Sequence, residues 1–163
     1  MDNPRRRAPT LPNTEIQLTQ HVAATPAKVW AVLTDLDAAA TTLTGVISIE
    51  RVSGEGYAVG TRWRETRKML GKEAAEEMWV AEVEAERRTV VKANSRGADY
   101  TTSFTLAPSG DGTDLSMTFT ADADKSSFLA KALMKLFGGL GAKATAKMMA
   151  QDLRDIAAAA EAA

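Results

Sequence analysis

The chain contains no cysteine and a single histidine, His21, among its 163 residues. The first absence excludes a disulfide framework, thiol catalysis and thiolate metal sites, and it fits a reducing compartment. The second leaves His21 without partners for a metal cluster, so no H-E-x-x-H site can be built and no metal is expected. No apolar run approaches the roughly 18 residues of a membrane span, and the N-terminus lacks the apolar stretch of a secretory signal. The expectation is a cytoplasmic protein without stable membrane insertion. Charge of one sign is also missing: 20 basic residues face 21 acidic ones, so no overall field favours nucleic acid.

What is present suits one soluble domain. Hydrophobic residues make up 45% of the chain and charged residues 25%, and the length fits a single core. Residues 1–14 hold prolines and the Arg5–Arg7 cluster and read as a disordered arm ahead of a domain over 15–160. "EIQLTQHV", 15–22, alternates with Ile16, Leu18, Gln20 and Val22 on one side, the pattern of a half-buried strand. His21 falls on its polar side as a surface residue. "ATPAKVWAVLTD" then supplies Thr25 as N-cap, Pro26 at the first helical position and an apolar stripe at Val29, Trp30 and Leu33. A second short helix over Asp35–Thr42 and a strand in "GVISIERVSG" follow.

From Gly60 to Asp122 the pattern has period two, broken by turns, and predicts an antiparallel meander. "GTRWRETRKM" puts Trp63, Glu65, Arg67 and Met69 on one face and Arg62, Arg64, Thr66 and Lys68 on the wet one. In "EMWVAEVEAE" the same reading sends Glu77, Trp79, Ala81 and Val83 inward. "RTVVKANS" gives Thr89, Val91 and Ala93, "YTTSFTL" gives Tyr100, Thr102, Phe104 and Leu106, and "TDLSMTFTA" gives Leu115, Met117 and Phe119. A sheet with one apolar face needs a cover. The stretch from about Ser126 to Ala160 is the remaining candidate, with Leu129, Leu133, Leu136, Phe137, Leu140, Met148, Leu153 and Ile156 at near-helical spacing. It would form one helix on the order of 50 Å long.

Gly138, Gly139 and Gly141 lie inside that helix, each costing roughly 0.5–1 kcal/mol relative to alanine. A phosphate-binding loop is excluded, because Ala142 and Ala144 flank Lys143 where glycine and a hydroxyl residue are required. Either close packing against the sheet or a kink that opens a portal accounts for them. Ala130, Ala132, Ala142, Ala144 and Ala146, with the glycines, leave room on this element, which favours a hollow under it.

The order of elements, one strand, a capped helix, a meander and a final long helix, is that of an α+β helix-grip fold. "VAATPAKVWAVLTD", "GTRW", "YTTSFTL" and "GDGTDLSMTFTAD" resemble the START and pollen-allergen-like (SRPBCC) superfamily, in its polyketide cyclase/dehydrase and lipid-transport branch. The resemblance spans residues 15–157 and departs at "TTLTG", Thr41–Gly45, where relatives often carry an aromatic residue. It implies a curved sheet of about seven strands around the last helix, two short helices after the first strand, and an internal apolar cavity.

Trp63, Trp79, Tyr100, Thr102, Phe104, Met117, Phe119, Leu133 and Phe137 are the candidates to line that cavity, with Glu65 and Arg67 as polar anchors. A charge in a dry interior must find a partner or water, so these two are expected to pair or to hold the polar end of a ligand. The expected function is to bind a hydrophobic or amphipathic small molecule, of lipid, isoprenoid or aromatic polyketide type, as carrier or sensor. No catalytic pattern such as G-x-S-x-G is present and no cofactor is expected. An alternative is a cyclase, aromatase or dehydratase with Glu65 or Glu77 as base and Tyr100 as proton donor. A second alternative is a protein-interaction module with a solid core. The chain is expected to be a monomer or homodimer.

Overall fold

The computed structural model describes residues 15–69, 71–95, 98–123, 131 and 135–163. The expected arm and Leu129, Ala130, Ala132 and Leu133 lie outside them.

Alternation generates seven strands: β1 (Glu15–Val22), β2 (Val46–Ser53), β3 (Arg62–Met69), β4 (Lys72–Glu84), β5 (Arg88–Ser95), β6 (Ala98–Ser109) and β7 (Gly112–Ala123). They form one antiparallel sheet in the order β1-β7-β6-β5-β4-β3-β2. The β6–β7 hairpin turns at Gly110, whose φ of 60° favours glycine. Between β1 and β2 sit α1 (Pro26–Leu33) and α2 (Ala39–Thr42). Thr25 caps α1, its hydroxyl accepting from the Lys28 amide at 3.5 Å, and Pro26 opens the helix as the sequence predicts.

The C-terminal helix α3 runs Gly139–Ala162, about 36 Å at 1.5 Å per residue, so the expected single 50 Å helix is corrected. Gly138 is extended (φ −94°, ψ 133°) and Gly139 has φ 44°, which breaks the path between the helical residues 135–137 and α3. The glycines allow the two pieces to abut. A Cβ on Gly141 would lie 1.7 Å from the Lys135 carbonyl oxygen, and the Thr145 hydroxyl donates to the Leu136 carbonyl at 3.0 Å. Of the two readings of these glycines, the break in the helix is what the structure shows, and the close approach is of helix to helix and not of helix to sheet.

Met149, Leu153, Ile156, Ala157 and Ala160 bury one side of α3 with Val22, Val29, Leu106, Leu115 and Met117. A second cluster, Leu36, Trp63, Val80 and Val91, packs at the β2–β5 side. The two clusters leave space between them.

Candidate functional site

That space is a cavity of about 220 Å³ between the concave face of the sheet, α1, α2 and α3. Leu33, Leu36, Leu43, Ile49, Met69, Met78, Val91, Phe104, Met117, Met148, Met149 and Ile156 supply apolar wall. Register explains the composition, because directly opposed residues of antiparallel strands share a face. Trp63 pairs with Met78, Met78 with Ala93, and Ala93 with Tyr100, and all four line the cavity.

Of the residues proposed from sequence, Trp63, Glu65, Arg67, Tyr100, Thr102, Phe104, Met117 and Phe119 lie on the cavity wall. Phe119 stacks on two rings, with Tyr100 at 5.9 Å and Phe137 at 5.4 Å. Phe137 therefore backs this aromatic ladder and is not among the lining residues. Leu43 and Thr42 complete the wall where "TTLTG" lacks an aromatic. Leu133 is outside the described residues.

Trp79 and Glu77 are corrected: both sit on the outer face of the sheet. Trp79 opposes Arg62, whose guanidinium stands 5.0 Å over the indole, and Glu77 accepts from Arg62 at 3.1 Å. The cause is a register shift in β4 between Val80 and Glu82. Val83 and Trp79 share parity by counting, but the extra residue reverses the sides, so Met78 and Glu76 face inward in their place.

The polar part of the wall includes a three-residue cluster of Arg67, Glu65 and Asp152, with Glu76 opposite Glu65 across β3 and β4. The Arg67 guanidinium donates twice to Asp152 Oδ2, from Nη1 at 3.0 Å and Nη2 at 3.1 Å. Its Nε lies 2.8 Å from Glu65 Oε1, an ionic contact in which the N–H is not aimed at the oxygen. Side-chain exposures of 13% for Arg67, 14% for Glu65 and 7% for Asp152 make this a largely dry site. Asp152 Oδ1 is buried with no hydrogen-bond partner among the described residues. Burial pushes the Asp152 carboxyl above its usual range, against the opposing pull of Arg67. Burial also works against the Arg67 charge, but Asp152 and Glu65 more than offset it and hold the guanidinium above its ordinary value. Two carboxyls against one guanidinium leave the cluster one proton or one cation short of neutral.

Asp152 is not among the site residues that the sequence pattern points to, although it lines the cavity. Met149, Asp152, Leu153 and Ile156 follow i, i+3, i+4, i+7 spacing, so an acid sits on an apolar stripe, a legible signal. Tyr57 was equally hidden, in the β2–β3 connection. Its ring lies 6.5 Å from both Trp30 and Trp63, and its hydroxyl is 2.9 Å from Thr89 Oγ1. Thr89 donates onward to the Glu82 carbonyl at 3.0 Å, and burial raises the Tyr57 pKa. His21 is exposed as expected, but it contacts Asp114 of the paired strand at 2.8 Å, and that hydrogen bond lowers the Asp114 pKa. The pair lies on the outer side, away from the cavity.

A curved antiparallel sheet gripping a C-terminal helix around an apolar hollow defines the helix-grip class. Residues 13–161 match the family described as polyketide cyclase/dehydrase and lipid transport, and the chain belongs to that family. Solved structures share the fold. TTHA0849 from Thermus thermophilus is 23% identical with a TM-score of 0.73, the match covering 91% of this chain and 97% of that one. The Zhui aromatase/cyclase from Streptomyces sp. R1128 is 16% identical with a TM-score of 0.72, over 90% of this chain and 93% of that one. Ara h 8.0201 is 11% identical with a TM-score of 0.69, over 91% and 98%. No curated protein matches the sequence. Among the described residues no helix is long and apolar enough to cross a membrane, and no group of three or more His, Cys, Asp or Glu side chains is arranged to hold a metal ion.

Proposed function

We propose that the cavity takes up a compact amphipathic molecule, of lipid, isoprenoid or aromatic polyketide type, and that the protein serves as its carrier or sensor. The carrying observation is an apolar hollow of about 220 Å³ with one buried, incompletely satisfied charge cluster in its wall. Pockets of this composition bind by burying apolar surface and use a few polar groups for orientation. The volume is below the ~300–1,000 Å³ usual for ligand pockets, which favours a small ring system or short chain. Burying roughly 300 Å² of ligand apolar surface is worth about 7 kcal/mol before association costs, enough for micromolar-class binding. A ligand hydroxyl or amine near Asp152 Oδ1 would give that oxygen its missing partner. The hollow also weighs against an interaction module with a solid core.

One observation favours a second reading, an enzyme of cyclase, aromatase or dehydratase type. Asp152 lies on the cavity wall with Oδ1 unpartnered among the described residues, and burial raises its pKa, so this carboxyl is placed to exchange a proton with a bound molecule. Glu65 keeps its place as candidate base. Tyr100 stays a candidate donor, and Glu77 no longer qualifies from the outer face. Native mass spectrometry of the protein purified from its own host separates the readings. A co-purifying hydrophobic molecule, released unchanged on denaturation, supports the carrier. A chemically altered product accumulating on wild-type protein but not on Asp152→Asn supports the enzyme, and a clean apo mass with no binding of added hydrophobic probes rejects both.

A further inference from the structure

The near-zero net charge conceals a local asymmetry. From Lys131 to Gln151 the chain carries four lysines and no acidic residue, leaving 16 basic against 21 acidic residues elsewhere. On α3, Leu140, Lys143 and Lys147 fall at i, i+3, i+7 and are all exposed, and Arg154 continues the same side two turns beyond Lys147. The acids of this helix point elsewhere: Asp152 pairs with Arg67, Asp155 accepts from the Thr44 amide and hydroxyl, and Glu161 accepts from the Ala23 amide. Lys135 is exposed, and its carbonyl abuts Gly141, which sets this lysine beside the first turn of α3. At the centre stands Leu140, 85% exposed, against 65% for Val59, the next most exposed large hydrophobic among the described residues. Leu136 and Met148, from the same stretch, line the cavity.

We propose that this face of α3 docks peripherally on an anionic phospholipid bilayer, with lysines on the headgroups and Leu140 in the acyl boundary, placing the cavity wall next to the membrane. Lipid suits the patch better than an acidic protein. A protein interface needs roughly 800 Å² per partner around a packed, often aromatic core, and here one leucine stands among long lysine side chains. Flexible ammonium groups need no shape match with a fluid layer of phosphates, and an amphipathic helix side of this kind lies in the interfacial plane. The docking does not depend on what fills the cavity, since vesicle binding is measured with no ligand added.

The test is co-sedimentation of the full chain with vesicles of phosphatidylcholine, with and without phosphatidylglycerol. Binding is expected only to the anionic vesicles and is expected to fall severalfold between about 0.05 and 0.5 M salt. Lys143→Glu/Lys147→Glu should lower the partition coefficient at least about tenfold. Leu140→Ser should lower it severalfold. Arg64→Glu/Lys92→Glu, the same charge change on the exposed outer face of the sheet, should leave it near wild type. Equal binding to neutral vesicles, equal losses in the two double variants, or retention on poly-glutamate without vesicle binding would each overturn the proposal.

Discussion

Removing the Arg67 guanidinium should show how the cavity wall is held. In Arg67→Met the side chain keeps most of its apolar stem, but Glu65 and Asp152 lose their shared cation at sites only 14% and 7% exposed. Breaking one partner out of a buried ion pair costs about 3–5 kcal/mol, because the remaining charge stays desolvated. For a domain of this size that corresponds to a fall in Tm of roughly 6–20 °C. The loss should shrink in acid. A carboxyl whose folded pKa is raised favours folding fully below its unfolded value of about 4, and that stability is lost as pH rises through the folded value. Asp152 is already raised by burial, and without Arg67 its opposing pull disappears. The variant should therefore be least stable relative to wild type near pH 7 and recover toward pH 4. Urea unfolding followed by tryptophan fluorescence at both pH values measures this, since Trp63 is buried in the same wall. Adding Glu65→Gln and Asp152→Asn to Arg67→Met should restore most of the stability by removing the orphaned charges. A loss under about 1 kcal/mol, or one independent of pH, would refute the claim that the cluster is dry and coupled.

The remaining predictions address the wall and the helix break. Phe104→Trp, by filling the hollow, should weaken binding of a fluorescent hydrophobic probe about tenfold while shifting the urea midpoint little; unchanged affinity would remove Phe104 from the binding face. Trp63→Ala should weaken the same probe, whereas Trp79→Ala and Glu77→Gln, on the outer face, should leave its affinity at wild-type level. Gly141→Ala puts a Cβ 1.7 Å from the Lys135 carbonyl and should cost several kcal/mol by thermal unfolding. Gly139→Ala, which meets nothing within 4 Å but keeps φ 44°, should cost only about 1–2 kcal/mol.

Much of this protein is legible in its residues read in order. Thr25 and Pro26 announce α1, and strict alternation in "YTTSFTL" and "TDLSMTFTA" assigns Phe104, Met117 and Phe119 to the inner face. These signals are local, because a cap needs a hydroxyl three residues from an amide and a strand face needs only parity. Parity fails where tertiary structure inserts a residue. The β4 bulge sends Trp79 and Glu77 outward and Met78 and Glu76 inward, and no counting within β4 reveals which half of the strand to trust. The charge cluster is non-local in the same sense: Arg67 and Asp152 are 85 positions apart and meet only when α3 is laid across β3. The glycines mark a weak point in the last helix, but only the folded chain decides that Gly138 breaks it and Gly141 admits a carbonyl. Sequence thus determined the elements and most of their faces, through short-range sterics and hydrophobic period. The packing of distant elements decided which charges were buried together and where a hollow remained.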